Sequence, residues 1–177
     1  MERLLIFVLV YLFSAVLTAQ EITLTNDGLA LTLESGLTAT IEGGVVNQTN
    51  GVNLGTIDNA GAITLTHDWT NNSANAVFVA NTGVTSFVGT LNDQTIGGSH
   101  ATEFDDLTLN NTFTTFPQLF ADVGFTSKNT LTMTSGSVNL NSNTATIGVS
   151  PASPGSLSHG ENFSDGIFFD GTLRRYF

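Results

Sequence analysis

The chain has 177 residues and a formal net charge of −11, with fifteen acidic residues against four Lys and Arg. A surface so poor in cations cannot neutralise phosphates, so neither nucleic acid nor an anionic lipid surface is an expected partner. Cysteine is absent, so stability must come from a continuous core and not from a disulfide framework.

Taken in chain order, the first element is a leader. Arg3, the apolar run Leu4 to Leu17 and Thr18-Ala19-Gln20 have the layout of a secretory signal peptide over residues 1–19. The run falls short of the roughly 18 residues that a spanning helix needs, and no later segment reaches that length. Cleavage is expected after Ala19, leaving one domain over residues 20–177, extracellular or on a bacterial cell surface. The lack of cysteine in an exported chain points the same way.

Beyond the leader, Thr alternates with aliphatic residues in recurring short stretches. They read Ile22-Thr-Leu-Thr25, Ile63-Thr-Leu-Thr66, Leu107-Thr-Leu109 and Leu131-Thr-Met-Thr134. Period-two alternation predicts strands over Ile22–Leu24, Leu29–Leu33, Leu37–Ile41, Ile63–Leu65, Ala76–Val79, Thr85–Val88, Leu107–Leu109, Leu131–Met133, Val138–Leu140 and Ala145–Val149. No stretch carries apolar residues at helical spacing with a cap, so no substantial helix is expected. Phe113 to Phe125 is crowded with apolar residues and interrupted by Pro117, which lacks a backbone donor; it has no clear period.

Turns are expected at Asn26-Asp-Gly28, Glu42-Gly-Gly44, Asn50-Gly51, Asn59-Ala-Gly61, Gly97-Gly98 and Ser135-Gly136, where residues tolerant of positive φ cluster. The Thr-rich stretches recur at 41, 44 and 24 residues (Ile22 to Ile63, Ile63 to Leu107, Leu107 to Leu131). Those intervals fit two, two and one units of roughly 20 to 24 residues, a solenoid period. The fold expected is all-β: a single-stranded right-handed parallel β-helix (β-solenoid) of about six or seven coils, stacked at ~4.8 Å. An antiparallel β-sandwich is the alternative, since strands at such spacing also suit it.

In such a coil, aliphatic side chains stack inward and Thr hydroxyls form outward ladders, each cross-strand pair contributing roughly 0.2–1 kcal/mol. Thr occurs 27 times and Lys once, so hydroxyls, amides and scattered acids must keep the outside soluble. Open ends are the weakness of the design. The strands from Ile22 to Leu33 are expected to cap one end. The other end, Gly171-Thr-Leu-Arg-Arg-Tyr-Phe177, has no obvious cap, so the native protein is expected to continue past it.

The stretches Gly44-Val-Val-Asn47, Ile63-Thr-Leu-Thr-His-Asp-Trp-Thr-Asn-Asn72, Val84-Thr-Ser-Phe-Val-Gly89, Gln94-Thr-Ile-Gly-Gly98, Phe104-Asp-Asp-Leu-Thr-Leu-Asn-Asn111, Leu131 to Leu140 and Gly171 to Tyr176 carry a resemblance. From Gly44 onward the chain resembles the repeat regions of large secreted surface proteins of Bacteroidetes that bear a type IX secretion sorting domain. The resemblance implies an extended β-rich extracellular protein without catalytic residues, and the sorting domain itself is missing from this chain.

Candidate chemistry is sparse. Asp105-Asp106 is the one paired carboxylate, as used by glycan hydrolases, but neighbours in a strand point to opposite faces, and the only local His is His100. The expected role is a turn or outward acid leading into Leu107. A polysaccharide lyase would need a cation, and Lys128 stands alone while Arg174-Arg175 lie near the end. Asp27-Gly28, Asp165-Gly166 and Asp170-Gly171 read as turns rather than calcium ligands, which need six or more oxygens. His67, His100 and His159 lack metal-ligand spacing. Ser99-His100 and Ser158-His159 lack a nucleophile elbow. Trp69 is expected to pack at a corner of the coil rather than to stack on a sugar. Gly43-Gly44 and Gly97-Gly98 read as turns, not phosphate cradles.

No catalytic, cofactor-binding or metal-binding residue is therefore assigned. The expected function is a non-catalytic secreted or cell-surface β-solenoid segment, structural or adhesin-like, binding carbohydrate or another surface protein weakly at many points. The alternative is a carbohydrate-active β-helix enzyme. The Asn-x-Ser/Thr matches at Asn47, Asn71, Asn110 and Asn162 are expected by chance in a chain this rich in Asn and Thr.

Overall fold

The computed structural model describes residues 22–73, 78–80, 82–159 and 167–177. All regular elements among them are strands, wound as successive coils of three. The first coil holds β1 (Leu24–Asp27), β2 (Ala30–Leu33) and β3 (Thr38–Ile41), and the second β4 (Val45–Gln48), β5 (Thr56–Asn59) and β6 (Ala62–Leu65). The third holds β7 (Trp69–Asn72), β8 (Phe78–Ala80) and β9 (Val84–Phe87). The fourth holds β10 (Gln94–Gly98), β11 (Thr102–Phe104) and β12 (Asp106–Asn110), and the fifth β13 (Leu119–Ala121), β14 (Phe125–Ser127) and β15 (Thr130–Ser135). The sixth comprises β16 (Ser137–Asn139), β17 (Thr144–Ser150), β18 (Ser153–Pro154) and β19 (Ser156–His159); β20 (Ile167–Phe169) and β21 (Thr172–Arg175) begin a further turn.

Corresponding strands of successive coils pair in parallel, which makes the molecule a parallel β-solenoid of about six turns and excludes the sandwich. The first face stacks β1-β4-β7-β10-β13-β16-β20, and the third stacks β3-β6-β9-β12-β15-β19. The second is divided into β2-β5-β8 and β11-β14-β17-β21, with β8 lying against β11. Two antiparallel contacts interrupt the pattern: β17 with β18, at a register shift, and the Asn50–Asn53 bridge.

The expected period is real on the third face, where Ile63, Thr85, Leu107 and Leu131 occupy one register position in successive coils. Ile22 does not belong to that column; its place is taken by Ala39. Strands expected from alternation reappear within a residue or two, except that Ile22–Leu24 shifts to β1, and Ala76 and Val77 lie outside the described residues. Asn26 and Asp27, expected as a turn, are strand residues. Gly97 and Gly98 likewise end β10 instead of turning.

The core is a narrow column in which Val45, Ile57, Leu65, Trp69, Phe87, Ile96, Phe104, Leu107, Leu119, Phe125, Leu131 and Ile147 are buried. Each such side chain contributes roughly 1.5–3 kcal/mol of burial. Polar seams line the corners. Asn26 Nδ2 donates to Asn47 Oδ1 at 2.8 Å, and Asn47 Nδ2 to Asn71 Oδ1 at 3.4 Å. The amide nitrogens of Asn26, Asn47 and Asn71 donate to the carbonyls of Thr56, Gly55 and Ala101 respectively, holding the bend from the first face to the second. This seam ends at Gly98, the register partner of Asn71; its φ of 111° and the closeness of Asn71 backbone leave no room for a side chain. At the corner before the first face, Gln94 accepts from Gly89 N (2.8 Å) and Asn111 Nδ2 (3.0 Å).

Coil one is the coil expected to cap this end of the solenoid. Its strands sit in full register on coil two, yet Leu24, Leu29, Leu31 and Leu37 are exposed on its outer side.

Candidate functional site

The most regular surface lies on the third face. Thr40, Thr64, Ser86, Thr108, Thr132 and Ser158 occupy one outward register position across six coils. Strands stack at ~4.8 Å, so the hydroxyl row extends about 24 Å. It exists because the residue on each side along the strand points inward: Leu107 and Leu109 flank Thr108, and Leu131 and Met133 flank Thr132, all buried. No charge interrupts the row. The adjacent row, Thr38, Ala62, Val84, Asp106, Thr130 and Ser156, carries one carboxylate.

That carboxylate and its neighbour diverge. Asp106 starts β12 on the outer side, and its Oδ1 accepts from the Thr130 amide of the next coil at 2.9 Å. Asp105 is only 6% exposed, so of the two expected roles, a turn or an outward acid, it takes the turn. It falls at the corner between β11 and β12, where the chain changes direction and carries the side chain in from solvent. Its Oδ2 is buried without a hydrogen-bond partner. Burial pushes its carboxyl above the usual range and Asp106 adds to this; Lys128, the Asn129 side chain and the Thr82 backbone pull the other way. Lys128 is thus brought to the corner by the solenoid, its amide donating to Phe104 O at 2.8 Å, although it is remote in sequence.

Trp69 is 1% exposed, with Nε1 donating to Thr102 Oγ1 at 3.0 Å and its ring edge-on to Phe104 at 5.4 Å. It therefore packs, as expected, but within the interior, and is closed to a sugar. His67 lies between β6 and β7 with Nδ1 at 3.0 Å from Thr66 Oγ1; His100 lies between β10 and β11, and His159 ends β19. Among the described residues no group of three or more His, Cys, Asp or Glu is placed to hold a metal ion. The Asp27 carboxylate accepts from Gln48 Nε2 at 3.1 Å and Asn50 Nδ2 at 3.0 Å. Gly28 and Asp170 have positive φ, as turn residues do. Asp165-Gly166 and Asn162 lie outside the described residues. Asn47 and Asn71 are buried in the seam and are closed as glycosylation acceptors.

Sequence reasoning missed an outward aromatic group on the first face. Thr95, Phe120, Asn139 and Phe169 share one outward column, and the Phe116 ring stacks on that of Phe169 at 5.2 Å and 13°. The available signal was the crowding of Phe residues around Pro117, which no single period could assign to a face. Comparison of the chain with protein-family models, with curated proteins and with solved structures gives no match. No helix among the described residues is long and apolar enough to cross a membrane.

Proposed function

We propose that this chain is a non-catalytic segment of a secreted or cell-surface β-solenoid, structural or adhesive in role, akin to the repeat regions of Bacteroidetes proteins exported by type IX secretion. The observation that carries the reading is the uncharged row of six hydroxyls from Thr40 to Ser158. One hydroxyl binds a glycan or protein surface weakly, but six on a stiff scaffold act together, and effective concentration multiplies the gain. Export by the leader is part of the proposal, and the mature chain is expected to begin at Gln20 by intact mass.

Retention on immobilised polysaccharide and on bacterial surface extract tests the row. Thr108→Lys alone is expected to weaken retention by about threefold, and Thr64→Lys, Thr108→Lys and Thr132→Lys together by about a hundredfold. Unchanged retention in the triple variant would overturn the reading.

A second reading, a carbohydrate-active enzyme, draws on the displaced ionisation of Asp105 beside Lys128. The divergence of the two carboxylates weighs against it. The assay is release of reducing or unsaturated ends from a polysaccharide panel: turnover abolished by Asp105→Asn or Asp106→Asn would establish the enzyme and end the adhesive proposal.

A further inference from the structure

Among the described residues, aromatic rings are found both in the core and on the outer surface. Trp69, Phe87, Phe104 and Phe125 point inward and are at most 2% exposed. Phe120 and Phe169 sit at outward positions of the first face, half-buried, and Phe116 is 57% exposed. Outward phenyls gain little from solvent, so a surface cluster of them marks contact with something else.

The arrangement is not a plain apolar patch. In the outward column Thr95–Phe120–Asn139–Phe169, hydroxyl or amide alternates with phenyl, and the two phenyls are two strand spacings apart, about 9.6 Å. Asn139 Oδ1 accepts from the Asn141 amide at 2.8 Å, and Asn141 Nδ2 donates to Asp122 Oδ1 at 2.7 Å, both at the surface. The Phe116 and Phe169 rings lie nearly parallel, so together they form a broadened flat surface. The core of an interface with a second copy of the chain is depleted of charged residues. Here Asn139 lies in the column between the two outward phenyls, and Asn141 links it to the Asp122 carboxylate.

That mixture matches a pyranose. Its C–H face is apolar and slightly positive, complementary to the negative face of a phenyl ring, while its rim of hydroxyls needs acceptors and donors such as Asp122, Asn139 and Asn141. The chain's charge of −11 repels polyanions. We infer that Phe116, Phe120 and Phe169, with Asn139, Asn141 and Asp122, form a binding platform for a neutral oligosaccharide, its chain lying along the solenoid axis. The platform is on a different face from the hydroxyl row and does not depend on it.

The test is calorimetric titration of the chain with cellohexaose, xylohexaose and laminarihexaose, with oligogalacturonate as the anionic control. At least one neutral hexasaccharide is expected to bind, about tenfold more weakly to Phe116→Ala. Phe116 is exposed enough that its loss spares folding, which an unchanged melting temperature checks. Ring-proton shifts of Phe residues on titration provide a readout independent of any variant. Val52→Ser, at an exposed position in neither the platform nor the hydroxyl row, is expected to leave this binding unchanged. The inference is overturned if no neutral hexasaccharide binds, if Phe116→Ala binds as the parent does, if only Val52→Ser loses binding, or if oligogalacturonate binds as tightly. It is equally overturned if the patch mediates self-association without binding sugar.

Discussion

Thr85 occupies the inward column between Ile63 and Leu107, fully buried, and its Oγ1 has no hydrogen-bond partner. A hydroxyl desolvated without compensation costs about 1–3 kcal/mol, and Val has nearly the same shape. Thr85→Val is therefore expected to stabilise the fold by about 1 kcal/mol in urea unfolding; an unchanged or lowered midpoint would contradict this account. Asp105 poses the same problem with a charge. Its folded carboxyl titrates above its unfolded value, so between those two pKa values the native state binds more protons than the unfolded one. Stability from this group therefore rises as pH falls through the folded pKa and is lost again at neutral pH. Asp105→Asn is expected to raise the melting temperature at pH 7, with the gain over the parent shrinking as the buffer is acidified. A gain independent of pH would show that the carboxyl is not the cause. Neither residue's burial was legible beforehand: Thr85 reads as one more ladder Thr, and the corner that buries Asp105 has no local signature.

At the scale of elements, alternation located the strands whose inward residues are aliphatic, such as β6, β12 and β15. It missed β4, β7, β10 and β14, where Asn47, Asn71, Gln94 and Ser127 point inward. An inward polar residue breaks the binary pattern, and only a neighbouring coil makes it tolerable by supplying hydrogen-bond partners. Asn47 is the test, since it bonds Asn26, Asn71 and Gly55 at once. Asn47→Ala is expected to cost about 2–3 kcal/mol by orphaning buried groups, whereas Gln48→Ala, on the outer side of the same strand, is expected to cost under about 0.5 kcal/mol. Equal losses from both would sink the role assigned to the seam.

Across the whole molecule, each coil contacts only its neighbours, so stability is nearly a sum of coil and interface terms and the ends are weakest. Coil one exposes Leu24, Leu29 and Leu31, and β21 is exposed along its length, while β9, β12 and β15 lie between paired strands. Native-state hydrogen exchange is expected to show the greatest protection in β9, β12 and β15 and the least in β1 and β21. Uniform protection would mean that the solenoid opens as one unit.

The sequence by itself determined an all-strand chain of repeated short elements, because alternation of Thr with aliphatic residues is a local property that recurs in β6, β12 and β15; parallel pairing decided for the solenoid over the sandwich. The sequence also determined the acidic, cation-poor surface, which follows from composition alone. Only the tertiary structure decided which face each strand joins, and hence that six hydroxyls align, that Lys128 comes near enough to act on the charge of Asp105, and that phenyls and an amide share one outward column. Those juxtapositions depend on register between coils separated by 19 residues (Leu119 to Val138) up to 30 (Val138 to Phe168). Loops of variable length absorb that variation, so chain distance does not reveal which residues are stacked.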